Sequence, residues 1–132
     1  MISNVSPYMD DAMLYLKCLI GLSKADGKIH AKEKTYIEMQ ADLYSIDINE
    51  LWDADFIADS NQLSQLTKLA KISIIRDLLV LSYIDGEFHL KEEQEINEIA
   101  EKMNLEHSKV QLIKDWLKKY VNVLEESYEI FK

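Results

Sequence analysis

One segment of this chain occurs twice, and this internal repeat constrains the fold more than any other feature of the sequence. Residues 19–46 (LIGLSKADGKIHAKEKTYIEMQADLYSI) align without a gap with residues 78–105 (LLVLSYIDGEFHLKEEQEINEIAEKMNL), at a constant offset of 59. The shared turn reads D-G-x-[IF]-H-x-K-E, and an apolar segment precedes it in both copies. Each copy predicts a helix–turn–helix hairpin, and a duplicated hairpin usually packs against its copy about a pseudo-twofold axis.

The composition favours long helices. The 132 residues include only 3 glycines and 1 proline, and so few turn-forming residues suit long helices joined by short loops in an all-α bundle. A chain of this length buries a single core. We therefore expect one domain over residues 1–132, with repeat halves at about 10–46 and 69–105 and C-terminal helices over 106–131.

Apolar periodicity predicts the positions of the individual helices. The predicted segments run from Ser6 and Pro7 to about Lys24, over 31–44, briefly after Asp47, over 62–66, over 72–83, over 90–103 and from about 106 onward. The segment over 72–83 is apolar nearly all round, so it predicts the central buried helix. The last segment fits either one long helix or two helices that meet near 119–122, and no strand is predicted.

Charge and cysteine content narrow the class of function. The 24 acidic and 15 basic residues give a net charge of −9, which repels a phosphate backbone and predicts no nucleic-acid partner, but suits cation binding. The single cysteine, Cys18, has leucines beside it and predicts a small buried hydrophobe in a reduced, cytoplasmic protein. Neither a signal peptide nor a membrane-spanning segment is expected, and therefore no membrane partner.

The repeated turn has a purely structural interpretation. Gly27 and Gly86 are predicted to form the two turns, because glycine adopts positive φ freely and the preceding aspartate bonds nearby backbone amides. The histidine of each copy then takes the N-cap position, and Glu33 and Glu92 take the N3 position of a capping box. A glutamate at this position also lies at the positive end of the helix dipole.

The same turn has a second interpretation as a cation site. Aspartate, glycine, an apolar residue and glutamate match the second half of an EF-hand loop. The first half would place ligands at Leu22 and Lys24, which argues against an ordinary EF-hand. A site shared by the two hairpins remains, and its predicted ligands are Asp26, Glu33, Asp85 and Glu92, with His30 and His89 in second place. Carboxylates suit Ca²⁺ or Mg²⁺, whereas added imidazole shifts the preference towards Mn²⁺ or Zn²⁺.

The two turns, ADGKIHAKE and IDGEFHLKE, each follow an apolar helix and lead into an amphipathic one. In this arrangement the chain resembles the TerB-like family, which includes tellurite-resistance TerB proteins and the N-terminal domain of DjlA-type co-chaperones. The resemblance covers about residues 10–125, and Arg76 fits an arginine that such domains tend to carry. It implies an all-α bundle of about seven helices, no established catalytic activity, and a metal site at the four paired acidic residues. No His-Pro-Asp motif occurs, so the chain is not itself a DnaJ-type co-chaperone.

Two functional hypotheses follow from the repeated turn together with what the TerB-like resemblance implies. The first is a non-enzymatic module that binds or senses a divalent metal ion in a stress response of the tellurite-resistance type. The alternative is a protein-interaction or dimerisation module in which the turns are purely structural. Its candidate surface comprises Trp116, Tyr120, Tyr128 and Phe131. Helical spacing predicts that most of these aromatic side chains lie in the core. Phe131, one residue from the end, is the one least expected to be buried.

Catalysis is not expected, because the sequence contains no complete set of residues for catalytic roles. Ser23 and Ser82 precede the two turns at matching positions, but neither has the Gly-x-Ser-x-Gly context of a nucleophile elbow. Both are predicted to be small residues at helix contacts.

Overall fold

A computed structural model describes residues 9–25, 27, 29–52, 60–83 and 90–132 of the chain. Every regular element within these ranges is helical, which confirms the all-α class. The elements are α1 (Met9–Ser23), α2 (Ala31–Leu43), a 3-10 helix (Ile48–Glu50), α3 (Ser60–Ser64), α4 (Lys68–Tyr83), α5 (Leu90–Lys102) and α6 (His107–Ile130). None of the described helices is both long and apolar enough to cross a membrane.

Helix α4 lies at the centre of the bundle, as its sequence predicts. It contacts α1, α5 and α6, and its side chains Ile74, Leu78 and Leu81 have no exposed surface. Most of its circumference is buried, and its partly exposed side chains lie along one stripe from Leu69 to Tyr83. The equivalent helices of the two repeat halves, α1 and α4, pack directly against each other. The twofold arrangement of the halves and the total of about seven helices stay predictions.

Polar side chains cap the starts of two described elements, and for one of them, α4, the start differs from the predicted one. Helix α4 begins at Lys68, four residues before the predicted start, because Thr67 Oγ1 accepts a hydrogen bond from the N–H of Ala70 at 3.1 Å. The short helix predicted after Asp47 is the 3-10 helix, and Asp47 Oδ1 accepts from the N–H of Asn49 at 3.0 Å. The predicted start of α1 at 6–7 lies outside the described residues.

Helices α2 and α5 end in the same backbone motif. Ser45 and Asn104, which occupy equivalent positions in the repeat, both have positive φ, at 56° and 59°. The next residue in each copy donates its N–H five residues back, from Ile46 to Ala41 O at 3.0 Å and from Leu105 to Ala100 O at 2.9 Å. This is the Schellman pattern, in which a left-handed residue reverses the chain after a helix. The repeat therefore shares its helix ends as well as its turn residues.

The last segment forms one continuous helix, α6, and the alternative of two helices is wrong. Its buried residues are Val110 and Leu117. The prediction that most aromatic residues of this segment lie in the core is wrong, because Trp116 is 43% and Tyr128 is 72% exposed. Phe131 is 86% exposed, as expected. Helical spacing continues the apolar stripe beyond Leu117, but burial does not follow it.

Candidate functional site

The first repeat turn depends on the backbone conformation of Gly27. Its φ is 88°, a value that residues with a Cβ rarely adopt. Its N–H donates to Lys24 O at 2.9 Å, which closes the turn after α1. A Cβ added at this position would meet no atom within 4 Å, so the requirement for glycine is conformational. Gly27 thus lies in a turn with positive φ, whereas Gly86 lies outside the described residues.

Glu33 is a buried capping residue at the start of α2. It is the third residue of the helix and only 2% exposed. Its Oε1 accepts a hydrogen bond from the backbone N–H of His30, the N-cap residue, at 3.3 Å. A glutamate at N3 that reaches back to the N-cap amide forms one half of a capping box. The structural interpretation therefore accounts for one interaction of this carboxylate.

Glu92 occupies the equivalent place in the second copy. It is the third residue of α5 and, like Glu33, is 2% exposed. Buried carboxylates are rare, because a charge loses its hydration unless hydrogen bonds, an opposite charge or a bound cation replace it. The burial of two glutamates at matched repeat positions thus carries a large electrostatic free-energy cost, which the surroundings of the turns have to offset.

The remaining predicted ligands divide into described and undescribed residues. His30 is half-buried at the N-cap of α2. Asp26, Asp85 and His89 lie outside the described residues, so their convergence with the glutamates stays a prediction. Within the described ranges, no group of three or more histidine, cysteine, aspartate and glutamate side chains is arranged to hold a metal ion. The described residues fit a cation site in ligand chemistry, since carboxylate oxygens are what hard divalent ions prefer.

Two lysines near the first turn are held by the segment that follows α2. The ammonium group of Lys24 donates to the backbone carbonyl of Trp52. The Nζ of Lys34 lies 5.7 Å from the centroid of the Trp52 ring, within the range of a cation–π interaction. Lys24 was the residue whose charge argued against an EF-hand, and its ammonium group has this carbonyl as a partner. Sequence patterns gave no sign of this role for Trp52.

A buried polar cluster connects α1, α2 and α4. The Tyr15 hydroxyl donates to Asp77 Oδ2 at 2.9 Å and lies 3.2 Å from Gln40 Oε1. Arg76 Nε donates to the other carboxylate oxygen of Asp77 at 2.8 Å. Burial, and then the charge of Asp77, raise the pKa of Tyr15 and of Tyr36 above their ordinary values. The signal for this cluster in the sequence is the Arg-Asp pair inside an otherwise apolar helix.

The candidate nucleophiles of the chain are engaged in packing. Ser23 and Ser82 are buried at equivalent positions, and their hydroxyls donate to Ile20 O at 2.8 Å and Leu78 O at 3.0 Å. Burial raises the pKa of the Cys18 thiol to about 12, so this buried cysteine stays protonated. These three side chains are small residues at helix contacts, as the sequence predicts.

Comparison with protein-family models, curated proteins and solved structures finds no match to this chain. The TerB-like resemblance therefore rests on the sequence features of this chain and stays a prediction.

Proposed function

We propose that this chain is a non-enzymatic, TerB-like module of the cytoplasm that binds one divalent cation at its repeated turns, in a stress response of the tellurite-resistance type. The cation is Ca²⁺, Mg²⁺, Mn²⁺ or Zn²⁺. Glu33 and Glu92 supply carboxylate oxygens, and the aspartates of the two turns, Asp26 and Asp85, complete the ligand set. Four carboxylates in one place repel one another strongly unless a cation or protons neutralise them.

The observation that carries this proposal is the matched burial of Glu33 and Glu92. Each is 2% exposed and lies three residues into its helix. A carboxylate that only caps a helix end gains nothing from burial. At the surface, water would hydrate the oxygen lone pairs that the cap does not use. A cation coordinated at this place would neutralise the charge of both carboxylates, in addition to the interactions that they make within the protein. The net charge of −9 further favours cation uptake.

Thermal unfolding with and without added ions tests the proposal. The protein is first treated with EDTA and dialysed, and each of the four ions is then added at about 1 mM, which saturates sites of micromolar Kd. A ligand at about 100 times its Kd stabilises the folded state by about 2.7 kcal/mol. For a domain of this size we expect the midpoint to rise by about 10 °C with the preferred ion.

The variants Glu33→Gln and Glu92→Gln separate cation binding from helix capping. Glutamine at N3 still accepts the hydrogen bond from the N-cap amide, so the cap is kept while the charge is removed. The matched controls are Glu38→Gln and Glu98→Gln, which change the same charge at exposed positions of the same two helices. We expect the ion-induced rise to disappear in the first pair and to persist in the second.

Two results would overturn the proposal. One is a wild-type midpoint that none of the four ions raises. The other is an ion-induced rise in Glu33→Gln and Glu92→Gln equal to that of the wild type. Either result would leave the repeated turns with a structural role only.

A further inference from the structure

The apolar stripe of α6 extends beyond the part of the helix that the bundle buries. Val110 and Leu117 are only 4% and 2% exposed. The same side of the helix continues with residues that are substantially exposed: Val121 (40%), Leu124 (39%), Tyr128 (72%) and Phe131 (86%). From position 117 to position 131 this stripe runs about 21 Å along the helix axis. Three turns of a regular helix thus present an apolar face to solvent.

The spacing of the stripe is that of a helix that pairs with another helix. Positions 117, 121, 124, 128 and 131 alternate steps of four and three residues, which is the a/d pattern of a coiled-coil seam. A helix that only covers a bundle has no need to keep this pattern beyond the last buried turn. The exposed seam therefore favours a second helix as its partner.

The charges beside the seam select a second copy of this chain in antiparallel orientation. Lys118 precedes the exposed stretch and Glu125 follows seven residues later on the same flank of the seam. With a twofold axis between positions 122 and 123, Val121 of one copy lies opposite Leu124 of the other. Lys118 of each copy then lies beside Glu125 of the other, which gives two favourable charge pairs. A parallel pair would instead place Lys118 beside Ile113 and Glu125 beside Tyr120 of the other copy, so neither charge would gain an opposite charge.

A groove lies where the seam leaves the bundle. It has a volume of about 380 Å³ and is lined by Tyr83 at the end of α4 and by Lys118, Val121, Asn122 and Glu125 of α6. It thus runs along the flank that carries the charge pair. In the antiparallel arrangement, the Tyr128 side chain of the second copy lies level with position 117, and because the bundle covers Leu117, this side chain meets the edge of the bundle next to the groove. The groove gives that bulky side chain a place at the edge of the bundle.

We propose that α6 is a self-association surface through which two copies of this chain pair in antiparallel orientation along 118–128. The surface consists of Val121, Leu124, Tyr128 and the flanking Lys118 and Glu125. One helix from each copy forms a small interface, so the dimer belongs to the weak class of protein interfaces. The proposal is independent of cation binding, because no residue of the repeated turns takes part in it.

Sedimentation velocity of the full chain tests the proposal. The measurements are made in EDTA, so that cation binding has no influence, over a roughly 100-fold range of protein concentration up to about 300 µM. We expect a concentration-dependent shift from monomer to dimer for the wild type. We expect Leu124→Glu to weaken dimerisation at least about 100-fold, because it places a charge in both central layers of the seam. Leu124 is already 39% exposed in the single chain, so this variant keeps the fold.

The control and the charge reversals test the geometry of the pair. Leu112→Glu makes the same change at a residue that is 61% exposed on another side of α6, and it should leave dimerisation unchanged. Lys118→Glu and Glu125→Lys should each weaken the dimer about tenfold, because each creates two pairs of like charges. The double variant should restore wild-type dimerisation.

Three outcomes would overturn the proposal. The first is a wild type that stays monomeric up to the highest concentration. The second is an equal effect of Leu124→Glu and Leu112→Glu. The third is a double charge-reversal variant that dimerises no better than the two single variants.

Discussion

Among the residues that the structure describes, Ser45 and Asn104 adopt a left-handed conformation without being glycine, and this makes a prediction at the scale of a single residue. Ser45 has φ of 56° at the end of α2, where a Cβ costs about 1 kcal/mol relative to glycine. We expect Ser45→Gly to raise the free energy of unfolding by up to about 1 kcal/mol. Asn104→Gly should gain less, because asparagine tolerates this conformation better.

Urea unfolding checks this prediction. The urea concentration at the midpoint should rise, whereas the slope of the free energy of unfolding against urea concentration should stay constant. Gly27→Ala makes the opposite change, because it introduces a Cβ at a residue with φ of 88°. The added methyl group meets no other atom, so only the backbone conformation is affected. It should lower the stability by about 1 kcal/mol. A loss of stability in Ser45→Gly would contradict the assignment of this helix end.

The Cys18 thiol should be unreactive in the folded protein. Burial raises its pKa to about 12, so the reactive thiolate is scarce at pH 8. We expect labelling by a disulfide reagent at pH 8 to be at least about 1,000-fold slower in the folded protein than in guanidinium. The exposed control Ser108→Cys should react at once. Rapid labelling of Cys18 in the native wild type would show that α1 is less well packed than described.

At the scale of helices, the hydrogen bond between Tyr15 and Asp77 ties α1 to α4. Its length is 2.9 Å, and the Tyr15 side chain has no exposed surface. Tyr15→Phe removes the donor and leaves a buried carboxylate oxygen short of one partner, so it should cost about 1–3 kcal/mol. Thermal and urea unfolding measure the loss. A change near zero would mean that Arg76 alone satisfies Asp77.

The same residue predicts how stability depends on pH in the alkaline range. The folded pKa of Tyr15 is raised above its unfolded value, chiefly by burial. The contribution of the neutral tyrosine is therefore fully present below about pH 10, and it is lost as the pH rises above that value. Above about pH 10, one such group lowers the free energy of unfolding by about 1.4 kcal/mol for each pH unit. The alkaline slope should be smaller by about that amount in Tyr15→Phe than in the wild type.

Helix positions follow from the sequence where apolar periodicity is long, and helix ends follow where a capping side chain is recognised. Helices α2 and α5 begin at the predicted residues, because the repeated turn marks their starts. Helix α4 begins earlier than its apolar residues indicate, because Thr67 caps it and polar lysines fill its first turn. The stop at Asn104 was predictable, whereas the one at Ser45 was not, because serine rarely adopts positive φ.

At the scale of the whole molecule, sequence periodicity says which face of a helix is apolar but not what covers that face. For α6, helical spacing predicted burial of the aromatic residues. Tyr128 is exposed because the buried part ends at Leu117, and Trp116 is exposed because it lies to the side of the buried stripe. At the candidate site, the sequence predicted which residues matter but not that they are buried. The sequence identified Glu33 and Glu92 by repetition, yet their burial depends on packing between helices, which a one-dimensional pattern does not contain.

The central claim is that the buried glutamates of the two turns bind one cation together. Isothermal titration of the EDTA-treated, dialysed protein with Ca²⁺, Mg²⁺, Mn²⁺ and Zn²⁺ measures both affinity and stoichiometry. We predict one ion per chain for the preferred metal, and a loss of affinity of at least about tenfold in Glu33→Gln and in Glu92→Gln. Glu38→Gln should bind as the wild type does. Absence of binding for all four ions, or unchanged affinity in both turn variants, would contradict the claim.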